Sequence, residues 1–160
     1  MSDLHHVYLN LGSNVESEKN VPNAILLLSD VGEIKEVSSV WETESVGYAG
    51  ANFLNVCVLF ITPLEPEEIK REIIRPIEAQ LGRIRSLDKN APRPIDIDIV
   101  LFDETPHNLQ MWNQAFVIVP LAEVLPEFQH PVLNEKLANF SDLLKNQVWI
   151  QKKLLNIKGL

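Results

Sequence analysis

Residues 6–12, HVYLNLG, form an apolar-rich extended run that stops at a Gly-Ser-Asn turn, and they predict a first, inner β-strand. In VPNAILLLSDVG the apolar positions recur at helical spacing between Pro22, tolerated near a helix start, and Gly32, a stop signal. Two extended runs follow, IKEVSSVWETES and NFLNVCVLFIT, joined by VGYAGA; they predict an antiparallel hairpin with a long connecting loop. PLEPEEIKREIIRPIEAQLG places Ile69, Ile73 and Ile77 on one face of a second amphipathic helix, with Pro66 in its first turn and Gly82 at its end. Pro76 lies inside this helix and predicts a kink or a frayed turn, because proline removes a hydrogen bond and collides with the preceding turn. Residues 83–94 read as a loop, RPIDIDIVLF as a strand, and Asp103 to Gln114 as a polar connection. FVIVPLAEVL reads as a short strand turning into a helix at Pro120, and 133–160 as a helical tail with a weakly ordered end. The order β-α-β-β-α-β predicts an α+β fold on the ferredoxin-like plan, a sandwich with additional C-terminal helices. With no repeat or low-complexity segment, residues 1–160 read as a single domain.

Composition narrows the setting. A chain of 160 residues that is 46% hydrophobic buries a substantial core without external staples. The lone cysteine, Cys57, sits in the apolar run FLNVCVLFI and reads as a buried thiol in a reducing compartment. MSDLHHVYL has neither a basic start nor a long apolar stretch, and nothing approaches the length of a membrane span, so a soluble cytoplasmic protein is expected. A net charge of −8 argues against nucleic-acid or acidic-membrane partners, which require a positive surface. Any anionic ligand must therefore meet a local exception to that charge.

The exception lies beside an unusual strand. In RPIDIDIVLF, Asp96 and Asp98 are two residues apart and so share one face of an extended chain, while Ile95, Ile97 and Ile99 fill the other. The aspartate face continues as Val100 and Phe102, polar at its start and apolar at its end. Two adjacent carboxylates repel, and a divalent cation resolves that repulsion; the alternative is an edge strand whose aspartates are simply solvated. Immediately upstream, GRIRSLDKNAPRP sets Arg83, Arg85, Lys89 and Arg93 against Asp88 alone. Cationic side chains on a loop next to paired carboxylates suit a nucleotide polyphosphate with its magnesium, so the pattern predicts phosphoryl chemistry. Neither a P-loop nor a dinucleotide-binding glycine fingerprint occurs.

NLGSN, FLNVCV, IEAQLGRIR, APRPIDIDIVLFD and FVIVPLAEVLPEFQHP, in this order, resemble the 6-hydroxymethyl-7,8-dihydropterin pyrophosphokinase family over roughly residues 7 to 131. The resemblance implies a ferredoxin-like fold. It implies transfer of the pyrophosphoryl group of ATP to the hydroxymethyl of a reduced pterin, giving AMP, in folate biosynthesis, by a chain that acts as a monomer. It makes Asp96 and Asp98 the ligands of two Mg2+ ions bound with ATP, with Arg83 and Arg93 acting at the phosphates. It places Glu78, Arg85, Lys89, Ile99 and His107 along the nucleotide, and Thr43, Phe53, Asn55 and Phe116 around the pterin. A flat ring between aromatic faces with an amide at its edge is physically sensible, although both phenylalanines also suit ordinary core packing.

Several positions depart from the family pattern. KNAPR stands where R-W-G-P-R is usual, so Lys89 replaces an arginine and Asn90 an aromatic residue; lysine keeps the charge but loses the fork. Asn108 stands in place of a tyrosine, and Gln114 in place of an arginine. These changes leave open a catalytically weakened relative that binds nucleotide or pterin, or an enzyme for another acceptor.

Overall fold

The computed structural model describes residues 3–45, 50–82 and 93–155. Its centre is an antiparallel sheet built from β1 (His5–Ser13), β2 (Glu33–Val37), β3 (Val40–Thr43), β4 (Phe53–Thr62), β5 (Asp96–Phe102), β6 (Thr105–Pro106) and β7 (Ile150–Lys153). The strands run in the order β6-β5-β1-β4-β3-β7, and β2 lies against the far half of β4. The fourth, first, third and second strands of the predicted plan therefore stand side by side, which is the α+β, ferredoxin-like arrangement read from the sequence.

Strand parity divides the molecule into two cores. Val7, Leu9 and Leu11 of β1 and Val56, Val58 and Phe60 of β4 turn to one face, where they meet α1 (Ser17–Val31) and the helical segment starting at Pro66. Cys57, Val100 and Leu101 lie with Trp41 and Trp112 in the opposite core, covered by α4 (Ala115–Val124) and α5 (Leu137–Lys145). Cys57 is buried as expected, and burial pushes its thiol pKa far up, so it stays protonated.

Four features differ from the sequence reading. FVIV is not a strand: α4 is helical from Ala115 through Pro120, and seven of its residues are buried. A helix that is apolar on nearly every side has no polar stripe by which its period can be recognised. The tail holds α5, but Ile150–Lys153 then returns as β7 and pairs with β3. The β1–β5 register slips between Tyr8 and Leu9, so Leu101 joins Val100 in the second core and Phe102 packs against the first, reversing its predicted side. Last, the extended run 34–45 is two strands, broken at Ser38 and Ser39.

That break is anchored by Glu123 of α4. Ser39 donates its backbone N–H (3.0 Å) and its hydroxyl (2.7 Å) to Oε2, and Trp41 Nε1 donates to Oε1 at 3.0 Å. Burial opposes ionisation of this carboxyl, but these hydrogen bonds and the Lys152 charge outweigh it and hold the pKa below the usual glutamate range. A depressed carboxylate pKa stabilises the fold above the unfolded-state value and ceases to do so as pH falls. Glu123→Ala should cost about 1–3 kcal/mol by leaving the buried indole N–H unpaired. In urea melts the deficit should be full at neutral pH and shrink on acidification through the carboxylate range.

Pro76 disturbs its helix as expected, and the form of the disturbance is specific. Between α2 (Pro66–Ile69) and α3 (Arg75–Gln80), residues Lys70–Ile74 form a π-helical turn, closed by the Arg75 N–H on the Lys70 carbonyl. The wider turn relieves the collision that a proline ring makes with the carbonyl four residues earlier, here that of Glu72.

Candidate active site

A cavity of about 160 Å³ opens where the ends of β1, β3, β4 and β5 meet the first turn of α4. Phe53 and Phe116 line it with Thr43 and Asn55, and Arg93, Asp96 and Asp98 line it with Asn10 and Gly12. Gly12 creates room on the sheet face, since a Cβ there would stand 3.0 Å from Asn55 Oδ1. Asn55 is 2% exposed, and its Nδ2 donates to Thr43 Oγ1 at 3.0 Å, which fixes the amide and turns its oxygen toward Gly12.

The aspartates are side by side on β5, both only partly exposed, with Ile97 and Ile99 buried on the other face as alternation requires. Arg93 lies beside them, Nη1 to Asp96 Oδ2 at 3.3 Å. The turn after β1 secures this arginine: Arg93 N–H donates to Asn14 Oδ1 at 2.6 Å, and Asn14 N–H donates to the Arg93 carbonyl at 3.0 Å. The donor set facing the cavity is all oxygen, the chemistry of a hard divalent cation. Two carboxylates leave most of an octahedral shell for phosphate oxygens and water, and among the described residues no group of three or more His, Cys, Asp or Glu converges as a self-sufficient metal site. The residues therefore fit a cation that arrives with a polyphosphate.

A second groove, of about 220 Å³, follows the outer edge of β5 and is lined by the same two aspartates. This edge is open because β6 pairs only with Leu101 and Phe102. Glu78, 3% exposed, accepts the Ile97 N–H at 2.9 Å, and Asn108 Nδ2 donates to the Ile99 carbonyl at 2.8 Å. Asn108, a departure from the family pattern, sits at φ 52, in the left-handed region that asparagine tolerates well. The Ile99 side chain is in the core, so that residue meets the groove through its backbone. Lys70 and Arg75 also line the groove. In an uninterrupted α-helix they would lie about 140° apart, but an i→i+5 turn stacks them one above the other.

His107 lines neither cavity. Its N–H donates to the Val100 carbonyl, and its ring packs toward Phe102 with centroids 6.1 Å apart. Burial first, and then the Lys70 charge, lower its pKa, so the ring is neutral at pH 7. Arg83, Arg85 and Lys89 lie outside the described residues. Gln114 stands at the N-cap of α4 with its carbonyl accepting the Val117 and Ile118 N–H groups. Sequence reasoning overlooked Asn10, Asn14, Lys70 and Arg75. Asn10 carried a signal, a polar residue between Leu9 and Leu11 in an otherwise apolar strand.

A slot between aromatic rings and a groove along an open strand edge, sharing two carboxylates, suit an enzyme that joins a polyphosphate to a flat acceptor. The family model for 7,8-dihydro-6-hydroxymethylpterin-pyrophosphokinase matches residues 8–126. The chain is 35% identical over 158 residues to a 2-amino-4-hydroxy-6-hydroxymethyldihydropteridine pyrophosphokinase of Bacillus subtilis, covering 91% of this chain and 90% of that protein. It is 37% identical over 140 residues to the enzyme of that name from Porphyromonas gingivalis, covering 78% and 93%. A folic acid synthesis protein of Dictyostelium discoideum is 33% identical over 139 residues, where the match covers 80% of this chain and only 21% of the relative. In fold, the chain matches the Plasmodium falciparum HPPK-DHPS structure with pteroate at a TM-score of 0.67 and 14% identity, over 92% of this chain and 43% of that one. The chain belongs to the 7,8-dihydro-6-hydroxymethylpterin-pyrophosphokinase family, whose members are ATP-dependent diphosphotransferases of folate biosynthesis.

Proposed function

We propose that this chain, as one domain, transfers the pyrophosphoryl group of ATP to the hydroxymethyl of 6-hydroxymethyl-7,8-dihydropterin and releases AMP. One observation carries the reading: Asp96 and Asp98 line both the aromatic slot and the strand-edge groove, so ligands in the two meet at the carboxylates. The pterin lies between Phe53 and Phe116 with Asn55 and Thr43 at its edge, and its hydroxymethyl points toward β5. The nucleotide follows the groove past Glu78 and the Ile99 backbone, its phosphates reaching Arg93.

Asp96 and Asp98 would hold magnesium with the triphosphate, two ions on the family pattern, and that metal would supply charge neutralisation at the phosphates. Arg93 is placed to share the developing phosphate charge; Asn14 holds its backbone, and Asp96 Oδ2, 3.3 Å from Nη1, holds the guanidinium beside the carboxylates. The hydroxymethyl oxygen loses its proton to solvent and bonds to the β-phosphorus as the bridge to the α-phosphate breaks, and AMP departs with that electron pair. The aromatic walls exclude water, which would otherwise compete as the acceptor.

AMP formation from ATP and Mg2+, with and without the hydroxymethyl dihydropterin, tests this function. Pterin-dependent AMP, one per pterin consumed, is expected; AMP release indifferent to pterin would replace transfer by hydrolysis or by another acceptor. Phe116→Ala should weaken pterin binding by about 1–3 kcal/mol with little effect on a nonhydrolysable ATP analogue, as titration of each ligand would show.

A further inference from the structure

We propose that His5 is a proton-operated clasp: its imidazolium bridges Asp103, in the turn after β5, and Glu65, at the start of the helix that walls the strand-edge groove, and loss of the proton releases Glu65. His5 Nδ1 stands 2.8 Å from Asp103 Oδ2, and Nε2 stands 2.8 Å from Glu65 Oε2. A neutral imidazole has one N–H and one lone pair, whereas an ionised carboxylate only accepts. A neutral ring therefore satisfies one of these neighbours and turns a lone pair on the other. Only the imidazolium donates to both.

The fold fixes all three groups. The His5 ring lies against Phe102 with centroids 4.6 Å apart, and its side chain is 19% exposed. Asp103 is held from behind: its Oδ1 accepts the His6 N–H at 2.9 Å, and its own N–H donates to the His6 carbonyl at 2.8 Å. Glu65 is the N-cap of α2, in a capping box with Glu68, whose Oε1 accepts the Glu65 N–H at 3.0 Å. Lys70, Arg75 and Glu78 follow Glu65 along the helical wall of the groove, and Asn108 follows Asp103 on the other wall. The clasp thus ties together the segments from which the two walls extend.

The two carboxylates are the charges that face the ring. β4 presents the uncharged Thr62 opposite His5, and one step further out stand His6, Glu68 and, across Phe102, the neutral His107. The hydrogen bond to Asp103 raises the His5 pKa most; burial opposes it, and the Asp103 charge and then the Glu65 hydrogen bond and charge add to the rise. A histidine pKa raised by folding stabilises the fold fully below the unfolded-state value and ceases to do so as pH rises through the folded one. The Asp103 bond is the larger effect, so the departing proton leaves the Glu65 side.

The test is an NMR titration of the full chain, with the His5 ring signal assigned by its absence from His5→Gln. The His5 midpoint should lie above the ordinary histidine range and should fall in Glu65→Gln. Glutamine keeps one N–H donor at position 5 but takes no proton, so His5→Gln should melt below the parent in acid. That gap should narrow by about 1–4 °C between about pH 5.5 and about pH 9, the size expected of two partly exposed ion pairs.

A His5 midpoint in the ordinary range would overturn the clasp, and the parent titration alone decides this. A midpoint unmoved in Glu65→Gln would leave Asp103 as the sole partner and overturn the bridge. A melting gap of equal size in acid and alkali would assign His5 to packing on Phe102 and overturn it too.

Discussion

Asp96→Ala and Asp98→Ala should each abolish pyrophosphoryl transfer while leaving the circular dichroism spectrum unchanged. Each carboxylate is partly exposed at the cavity, so its loss opens no hole in either core. On the proposed reading, what is lost is half of the protein's oxygen ligands to the metal. Outer partners of metal ligands alone are worth about 10–100-fold, and removal of a direct ligand should exceed that. The deficit should persist at saturating magnesium in single-turnover assays. Transfer at the parental rate by either variant would return the aspartates to the status of solvated edge residues.

Gly12→Val should eliminate pterin binding through shape alone. The first carbon of the new side chain already stands 3.0 Å from Asn55 Oδ1, and Asn55 cannot retreat without breaking its bond to Thr43. The two further methyl groups extend into the space above β1 that the heterocycle needs. The loss should exceed the about 1–3 kcal/mol typical of overpacking, because the slot is filled as well as strained. Nucleotide binding in the β5-edge groove should survive, which separates a blocked slot from a misfolded chain. Calorimetric titration with pterin and with an ATP analogue distinguishes these outcomes.

The fold was legible in the sequence wherever an element carries a period or a run bounded by turn signals. β1 and α1 announce themselves by period, the β4 run by an apolar stretch after a Gly-containing loop, and D-x-D by its contradiction of its apolar surroundings. α4 was misread because FVIVPL is buried on almost every side, and β-branched residues in sequence imitate a strand when no polar stripe shows the helical turn. β7 was misread because its pairing partner lies far away in sequence, on β3, and four residues of IQKK carry no period of their own. Within the site, Asp96, Asp98, Phe53, Asn55 and Phe116 could be singled out by residue type. The latch between Asn14 and Arg93 could not, because it joins segments 79 residues apart. Nor could the alignment of Lys70 with Arg75, since it depends on a helical turn of unusual width rather than on spacing.

The pairing of β7 with β3 also bears on self-association. Every strand edge that ends the sheet invites a strand from a neighbouring molecule unless something spoils the template. Here the outermost strands among the described residues are β2, with Glu33, Lys35 and Glu36; β7, with Lys152 and Lys153; and β6, only two residues long and ending in Pro106. Without β7 the exposed border would be β3, whose one charged residue is Glu42 and whose Val40 and Trp41 are apolar. IQKK thus puts two lysines at the border in its place. The strand that abuts the aromatic slot is thereby paired on both sides instead of left open as a template for a neighbouring molecule.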